Sequence, residues 1–338
     1  MKIKVFLISL LLLWGTSCKE KRKTGALYLQ GEALGTTYHI TAVRNAGSKE
    51  VTKKDIDSVM EAVNASLSTY RPNSLISKIN KGQNMKVDVM FKEVFEQAGE
   101  IYKQTGGVYD PTIGIVVNAY GFGPGRKIEG IEKDSSIVDS LMRFVGYDML
   151  QIDENDTLRK KYPEIFIDFN SIAKGYAIDR VGKLFDQRGY TDYLVEIGGE
   201  VLARGTNRLK GRPWIVAIDN PDRRSNQKLF SKMELQNMGM ATSGNYRKFY
   251  VDKETGKKFV HTINSKTGLP EISHLLSATV IADNCMKADG YATACMALGL
   301  EKCKELIEKQ AGLKVFLIYS DENGKLKTYK SPGLKIKE

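Results

Sequence analysis

Asp289 and Thr293 stand four residues apart in Ala288-Asp289-Gly290-Tyr291-Ala292-Thr293. The apolar spacing around them predicts a helix running to Leu298, so the carboxylate and the hydroxyl share one face. Two hard oxygens on one face suit Mg²⁺, which takes one or two protein oxygens and leaves its other positions to water and substrate phosphates. The same spacing also fits an Asp that merely complements a helix dipole. Asp168 ends the apolar run Ile165-Phe166-Ile167, expected as a buried strand, at the position where α/β proteins hold ligands; it could equally cap the next helix. Lys174, in the first turn of that helix, is either a phosphate or carbonyl contact or a solvated lysine. His261, one of three histidines, is either a general base near neutral pH or a structural residue. Ser243-Gly244-Asn245-Tyr246 offers a hydroxyl without a Gly-x-Ser-x-Gly elbow, and Gly121-Phe122-Gly123 lacks the strand-then-helix setting of a dinucleotide fingerprint.

The elements that must position these residues follow from periodicity. Thr37–Ala42 alternates as a strand, and Lys53–Leu67 repeats its apolar residues at helical spacing. Val94–Thr105 reads as a second amphipathic helix stopped by Gly106-Gly107. A poorly patterned charged stretch covers residues 126–164. The Ile165–Asp168 strand then leads through Phe169-Asn170-Ser171 into a helix from Ile172 to about Gln187, and a tight turn before a helix N-terminus is a natural phosphate cradle. Strands are expected at 193–197, 200–205, 214–219, 238–243, 246–251 and 276–282, with helices over the Asp289 segment and Leu300–Gln310. Lys314–Tyr319 is expected to close the fold. There is no internal repeat, heptad run or low-complexity segment.

Composition narrows the setting. Met1-Lys2-Ile3-Lys4, the apolar run Val5–Trp14 and Gly15-Thr16-Ser17-Cys18 form a signal peptide too short for a stable membrane span. Cysteine directly after small residues resembles a bacterial lipoprotein signal, in which Cys18 becomes the lipidated first residue; ordinary secretion is the alternative. The net charge is +11, but six Lys/Arg and one Glu fall within residues 1–24, so the remainder implies no nucleic-acid partner. Lys19-Glu20-Lys21-Arg22-Lys23 reads as a flexible tether beside anionic lipid head groups. Cys285, Cys295 and Cys303 show neither metal spacing nor a disulfide framework and read as buried free thiols. At 42% hydrophobic residues the chain can bury a sizeable core, as one large domain or two joined lobes.

Eight blocks in order carry a resemblance to a known family. They begin with Gly35-Thr36-Thr37-Tyr38, then Ser68-Thr69-Tyr70-Arg71-Pro72-Asn73-Ser74 with Ile79-Asn80, then Tyr109-Asp110-Pro111-Thr112-Ile113-Gly114 leading into Tyr120-Gly121-Phe122-Gly123. They continue with Ile167-Asp168-Phe169-Asn170-Ser171-Ile172-Ala173-Lys174-Gly175-Tyr176, Glu196-Ile197-Gly198-Gly199-Glu200, Ala241-Thr242-Ser243-Gly244-Asn245-Tyr246, His261-Thr262-Ile263-Asn264 and the Ala288–Thr293 block. Together, over about residues 27–320, they resemble the FAD:protein FMN transferases, the ApbE-like flavin transferases. Two departures stand out: Leu34 occupies a position often methionine in the family, and Asn264-Ser265 replaces an Asp-Pro beside His261.

The resemblance implies an α+β, ApbE-like (T-fold-like) domain over residues 27–332, with mixed or antiparallel sheets packed by helices, behind a signal peptide (1–17) and a lipidated tether (18–26). It implies Mg²⁺ held by Asp289, Thr293 and the backbone carbonyl of Ser171. It also implies FAD contacted by Asp168 and Lys174, lined by Tyr120, Gly121, Phe122 and Ile263, and flanked by Leu34 and Tyr70, with His261 as general base. The implied reaction moves the FMN moiety of FAD to a threonine or serine of an acceptor protein and releases AMP. Implied acceptors are subunits of membrane redox complexes of the NADH:quinone reductase or Rnf type, met by an exported lipoprotein at the inner membrane facing the periplasm. A Mg²⁺-dependent FAD pyrophosphatase and a non-catalytic flavin-binding lipoprotein are the competing readings.

Overall fold

The computed structural model describes residues 25–83, 85–221, 229–245, 249–251, 258–260, 262–270 and 273–337. Cys18, the leader and His261 lie outside the described residues. β1 (Ala26–Ala33) and β2 (Thr36–Val43) form a hairpin with Ala33 opposite Thr36. Its two-residue tip, Leu34 and Gly35, has φ of 53° and 74°, the left-handed geometry that matches strand twist but strains a residue with a branched side chain. α1 (Lys53–Leu67) follows, started by a capping box in which Thr52 and Asp55 satisfy each other's backbone N–H. α2 (Leu75–Asn80) is capped by Ser74, and α3 (Val89–Gln104) by Asp88, so this helix begins five residues before the apolar repeat at Val94.

The charged stretch is better organised than its pattern suggests. It holds α5 (Ser135–Met142), after α4 (Gly114–Ala119), and the hairpin of β3 (Leu150–Ile152) with β4 (Leu158–Lys160). These elements are too short to develop a readable period. α6 (Ala173–Gln187) leads to β5 (Tyr193–Ile197), β6 (Glu200–Arg204), β7 (Trp214–Asp219), β8 (Leu229–Leu235) and β9 (Met238–Gly244). β10 (Phe249–Val251) and β11 (Lys258–Val260) pair with each other. β12 (Leu275–Ala282), α7 (Cys285–Leu298), α8 (Leu300–Lys309) and β13 (Lys314–Ser320) come next. Lys314–Tyr319 does not close the fold: β14 (Leu326–Lys330) pairs with β13, and β15 (Ile336–Lys337) with β8.

The main sheet runs β1-β2-β5-β6-β9-β12-β13-β14, and its described pairs are all antiparallel. It draws strands from both ends of the chain, which favours one domain over two lobes. Helices α1, α3, α6 and α7 cover one face over the largest core. On the other face β7 and β8 bury Trp214, Val216 and Met233 against Val201, Met240, Ile281 and Phe316 of the main sheet. β12 is therefore buried along nearly its whole length instead of alternating. The fold class is α+β, as expected.

Two local expectations are corrected. Residues 165–168 join no sheet. Side chains and a loop carbonyl replace the ladder: Asn80 bonds both Ile167 N and Ile167 O at 2.8 Å, Asp168 N donates to Pro111 O at 2.8 Å, and Lys160 Nζ donates to Ile165 O at 2.8 Å. Burial with only carbonyl partners lowers the Lys160 pKa to about 8. Cys295 and Cys303 are not free thiols but a disulfide, with Cα atoms 4.8 Å apart. The corner at Gly299 folds α8 back on α7, so two cysteines eight positions apart come into contact. Cys285 is the buried free thiol.

Candidate active site

The N-terminal turns of α6 and α7 meet at the base of a cavity of about 310 Å³. Gly175 makes this possible, because a Cβ there would lie 2.3 Å from Cys285 O and 2.8 Å from Asp289 Cβ. The two helices then exchange hydrogen bonds. Asp179 of α6 accepts from Cys285 N (2.9 Å) and Met286 N (2.8 Å) of α7. Asp289 of α7 accepts from Gly175 N of α6 at 2.9 Å. Asn284 caps α7 through Lys287 N, whereas α6 has no side-chain cap. The uncapped turn still offers few donors to a phosphate, since Ile172 N and Ala173 N already donate to Phe169 O.

Eight of the residues expected at the site line this one cavity: Tyr70, Phe122, Asp168, Ser171, Lys174, Ile263, Asp289 and Thr293. Asp289 is only 6% exposed. Burial, reinforced by the nearby Glu200 carboxylate, raises its pKa well above the ordinary carboxylate range. Thr293 Oγ1 lies 3.5 Å from Ser171 O and 3.3 Å from Ser243 Oγ. A carboxylate, two hydroxyls and a backbone carbonyl are all hard oxygen donors, and a buried carboxylate with raised pKa is what a bound cation would relieve. This donor set fits Mg²⁺, with its remaining positions left to water or phosphate. Among the described residues no three His, Cys, Asp or Glu side chains group as a metal cluster.

Around this floor, Lys174 Nζ pairs with Glu200 Oε2 at 2.6 Å. Asp168 holds the following turn, accepting from Asn170 N at 2.8 Å and from Asn170 Nδ2 at 3.1 Å. Ser171 Oγ donates to Tyr109 OH at 3.1 Å, and burial pushes that phenol's pKa far up, so it stays protonated. Asp110 fixes the neighbouring wall by accepting from Thr112 N (2.8 Å) and Tyr147 N (3.0 Å). Tyr70 stands at the rim, 58% exposed.

The other expected residues fall elsewhere. Tyr120 is buried behind the cavity among the side chains of α4 and α5, and Gly121 turns the chain there with φ of 83°. Leu34 lines a separate crevice with Met60, Asn64 and Arg71. His261 is outside the described residues, although Thr262 and Ile263 line the cavity. The turn after them is held by Asn264, whose Oδ1 accepts from Lys266 N at 2.9 Å and whose carbonyl accepts from Gly268 N at 2.8 Å. An Asx turn thus does without the Asp-Pro pair. Glu200 and Tyr109 received no role from sequence. Glu200 precedes the apolar run Val201-Leu202-Ala203 and Tyr109 lies between Val108 and Asp110, so neither position names its partner.

Residues 34–317 match the model of the ApbE family. The FAD:protein FMN transferase of Haemophilus influenzae is 36% identical over 314 residues, covering 90% of this chain and 89% of its own. That of Vibrio cholerae is 34% identical over 338 residues, covering 98% and 97%. Among solved structures, flavin transferase ApbE from Vibrio cholerae superposes with a TM-score of 0.80 at 32% identity, over 91% of this chain and 97% of that one. Apo flavinyl transferase ApbE from Pseudomonas stutzeri gives 0.79 at 31% identity, over 91% and 95%. A family match across most of the chain, joined to the same fold at this level of identity, means that the chain belongs to the ApbE family.

Proposed function

We propose that this protein is an FAD:protein FMN transferase that moves the FMN moiety of FAD onto a threonine or serine hydroxyl of an acceptor protein. The observation that carries the reading is the meeting of an all-oxygen cation set, Asp289, Thr293 and Ser171 O, with the Lys174 ammonium in one cavity. The acceptor Oγ attacks the FMN-side phosphorus, the bond from that phosphorus to the bridging oxygen breaks, and AMP leaves with the electron pair. Asp289, Thr293 and Ser171 O would hold Mg²⁺, which would supply positive charge against the phosphate oxygens. Lys174 adds a second positive charge for the phosphate oxygens, and Asp168 and Asn170 fix the turn that presents Ser171. Phe122, Ile263 and Tyr70 provide apolar and aromatic walls for the flavin nucleotide. His261 is proposed as the base that takes the hydroxyl proton.

The full-length chain incubated with FAD, Mg²⁺ and a redox-complex subunit of the NADH:quinone reductase or Rnf type should yield an acceptor band with in-gel flavin fluorescence, plus AMP. Free FMN and AMP without a labelled acceptor would mean hydrolysis; unchanged FAD would mean a binding protein. His261→Ala should lower transfer by about 10²–10⁴-fold while FAD still binds, and an unchanged rate would remove its role. The leader supports a lipid anchor at Cys18 that holds residues 27–332 at the periplasmic face of the inner membrane beside such acceptors. No helix among the described residues is long and apolar enough to cross a membrane. Cys18→Ala should move the protein from the membrane to the soluble fraction, and continued membrane retention would count against lipidation.

A further inference from the structure

Glu200 opens β6 directly after the Gly198-Gly199 turn and is 2% exposed. A carboxylate so deeply buried is costly unless an opposite charge meets it, and the Lys174 ammonium does so at 2.6 Å. That ammonium has a second carboxylate close by. Lys174 immediately precedes Gly175, whose N–H is bound to Asp289 at 2.9 Å. Lys174 and Glu200 both act on the Asp289 carboxyl through space, in opposite directions. A lysine carries a compact charge with three donors on a flexible stem, so it could close on either carboxylate. Closing on Asp289 would occupy the oxygen that a cation needs.

We propose that Glu200 is a positioning residue: by holding the Lys174 ammonium on its own carboxylate, it keeps that ammonium off Asp289 and leaves Asp289 open to a divalent cation. The arrangement sets ammonium and cation side by side instead of in competition, so that one diphosphate can meet both. This inference rests on the reading of Asp289 and Thr293 as a cation site.

The test is Mn²⁺ binding to the full-length chain without FAD, followed by electron paramagnetic resonance, in Glu200→Gln, Lys174→Met, the double variant and Asp289→Asn. Glu200→Gln should weaken Mn²⁺ about tenfold or more. Lys174→Met should change affinity less than about threefold alone, yet restore most of the loss in the Glu200→Gln background, a non-additive cycle. Mere charge balance would instead give Lys174→Met the same tightening in both backgrounds, and that result would overturn the proposal, as would unchanged affinity in Glu200→Gln. Should Glu200→Gln not fold, Glu200→Asp keeps the charge at shorter reach. It should weaken Mn²⁺ by a smaller factor that Lys174→Met again restores, and additive behaviour there would overturn the proposal equally. Undiminished binding by Asp289→Asn would show that the cation site itself is misassigned, a separate failure.

Discussion

Asp179 and Asp289 sit on opposite sides of the α6–α7 contact, and each accepts hydrogen bonds from the first turn of the other's helix. They differ in what is left over. Both Asp179 oxygens are engaged, one by Cys285 N and one by Met286 N, so this carboxylate serves the N-terminus of α7. Asp289 has one oxygen bound to Gly175 N, and its side chain borders the cavity within reach of Glu200 and Lys174. Burial raises the pKa of both: Asp179 to about 6, and Asp289 further, because Glu200 adds its own negative charge. The same fragment of chemistry is thus structural when the backbone saturates it. Where the backbone leaves it half satisfied, as at Asp289, an oxygen stays available to the cation proposed above.

The sharpest way to break this contrast is Asp289→Asn, which should cut transfer by about 10²–10³-fold, the scale of losing one electrostatic contact made to the transition state. FAD affinity should fall much less, and metal-free protein should be no less stable at pH 7, because a neutral amide removes the cost of a buried charge. Normal turnover in a transfer assay would place Asp289 with Asp179 as a structural residue. Gly175→Ala attacks the contact that both carboxylates share. Its Cβ would meet Cys285 O at 2.3 Å, so chemical denaturation should show a loss of about 1–3 kcal/mol, with metal affinity lowered as well. Wild-type stability would mean that α6 and α7 are not tightly apposed.

The smallest effect is expected from pH. Asp179 has a folded pKa near 6 against an ordinary 3.8, so the folded state holds the proton more tightly than the unfolded one. Its contribution to stability is therefore greatest below pH 4 and declines as pH rises from about 4 to about 6. Because the residue is partly exposed, the decline should be about 1–2 kcal/mol. Asp179→Asn should flatten that portion of the urea-unfolding profile; an identical slope in both proteins would show that Asp179 is not perturbed in the fold.

Much of this was legible in the residues. Helix α1 and strands β5 and β7 fall where periodicity puts them, because each has one clear apolar face and a clear stop. Asp289 and Thr293 stand out through spacing alone, since a helix brings positions four apart together whatever surrounds it. Residues 165–168 misled because an apolar run identifies burial, and their partners turned out to be the side chains of Asn80 and Lys160 and a loop carbonyl, not a neighbouring strand. Cys295 and Cys303 misled because their pairing depends on how α8 turns back at Gly299.

By itself the sequence determined the clearly patterned helices and strands, which chemistry their polar residues can offer, and, through ordered blocks, the family. Only the tertiary structure decided that Lys174 meets Glu200, that Asp179 is saturated while Asp289 is not, and that Leu34 and Tyr120 lie away from the main cavity. Periodicity is a property of neighbours along the chain, whereas the partner of a buried charge is set by contacts between residues far apart in it. Those contacts exist only once the helices have closed on the sheet.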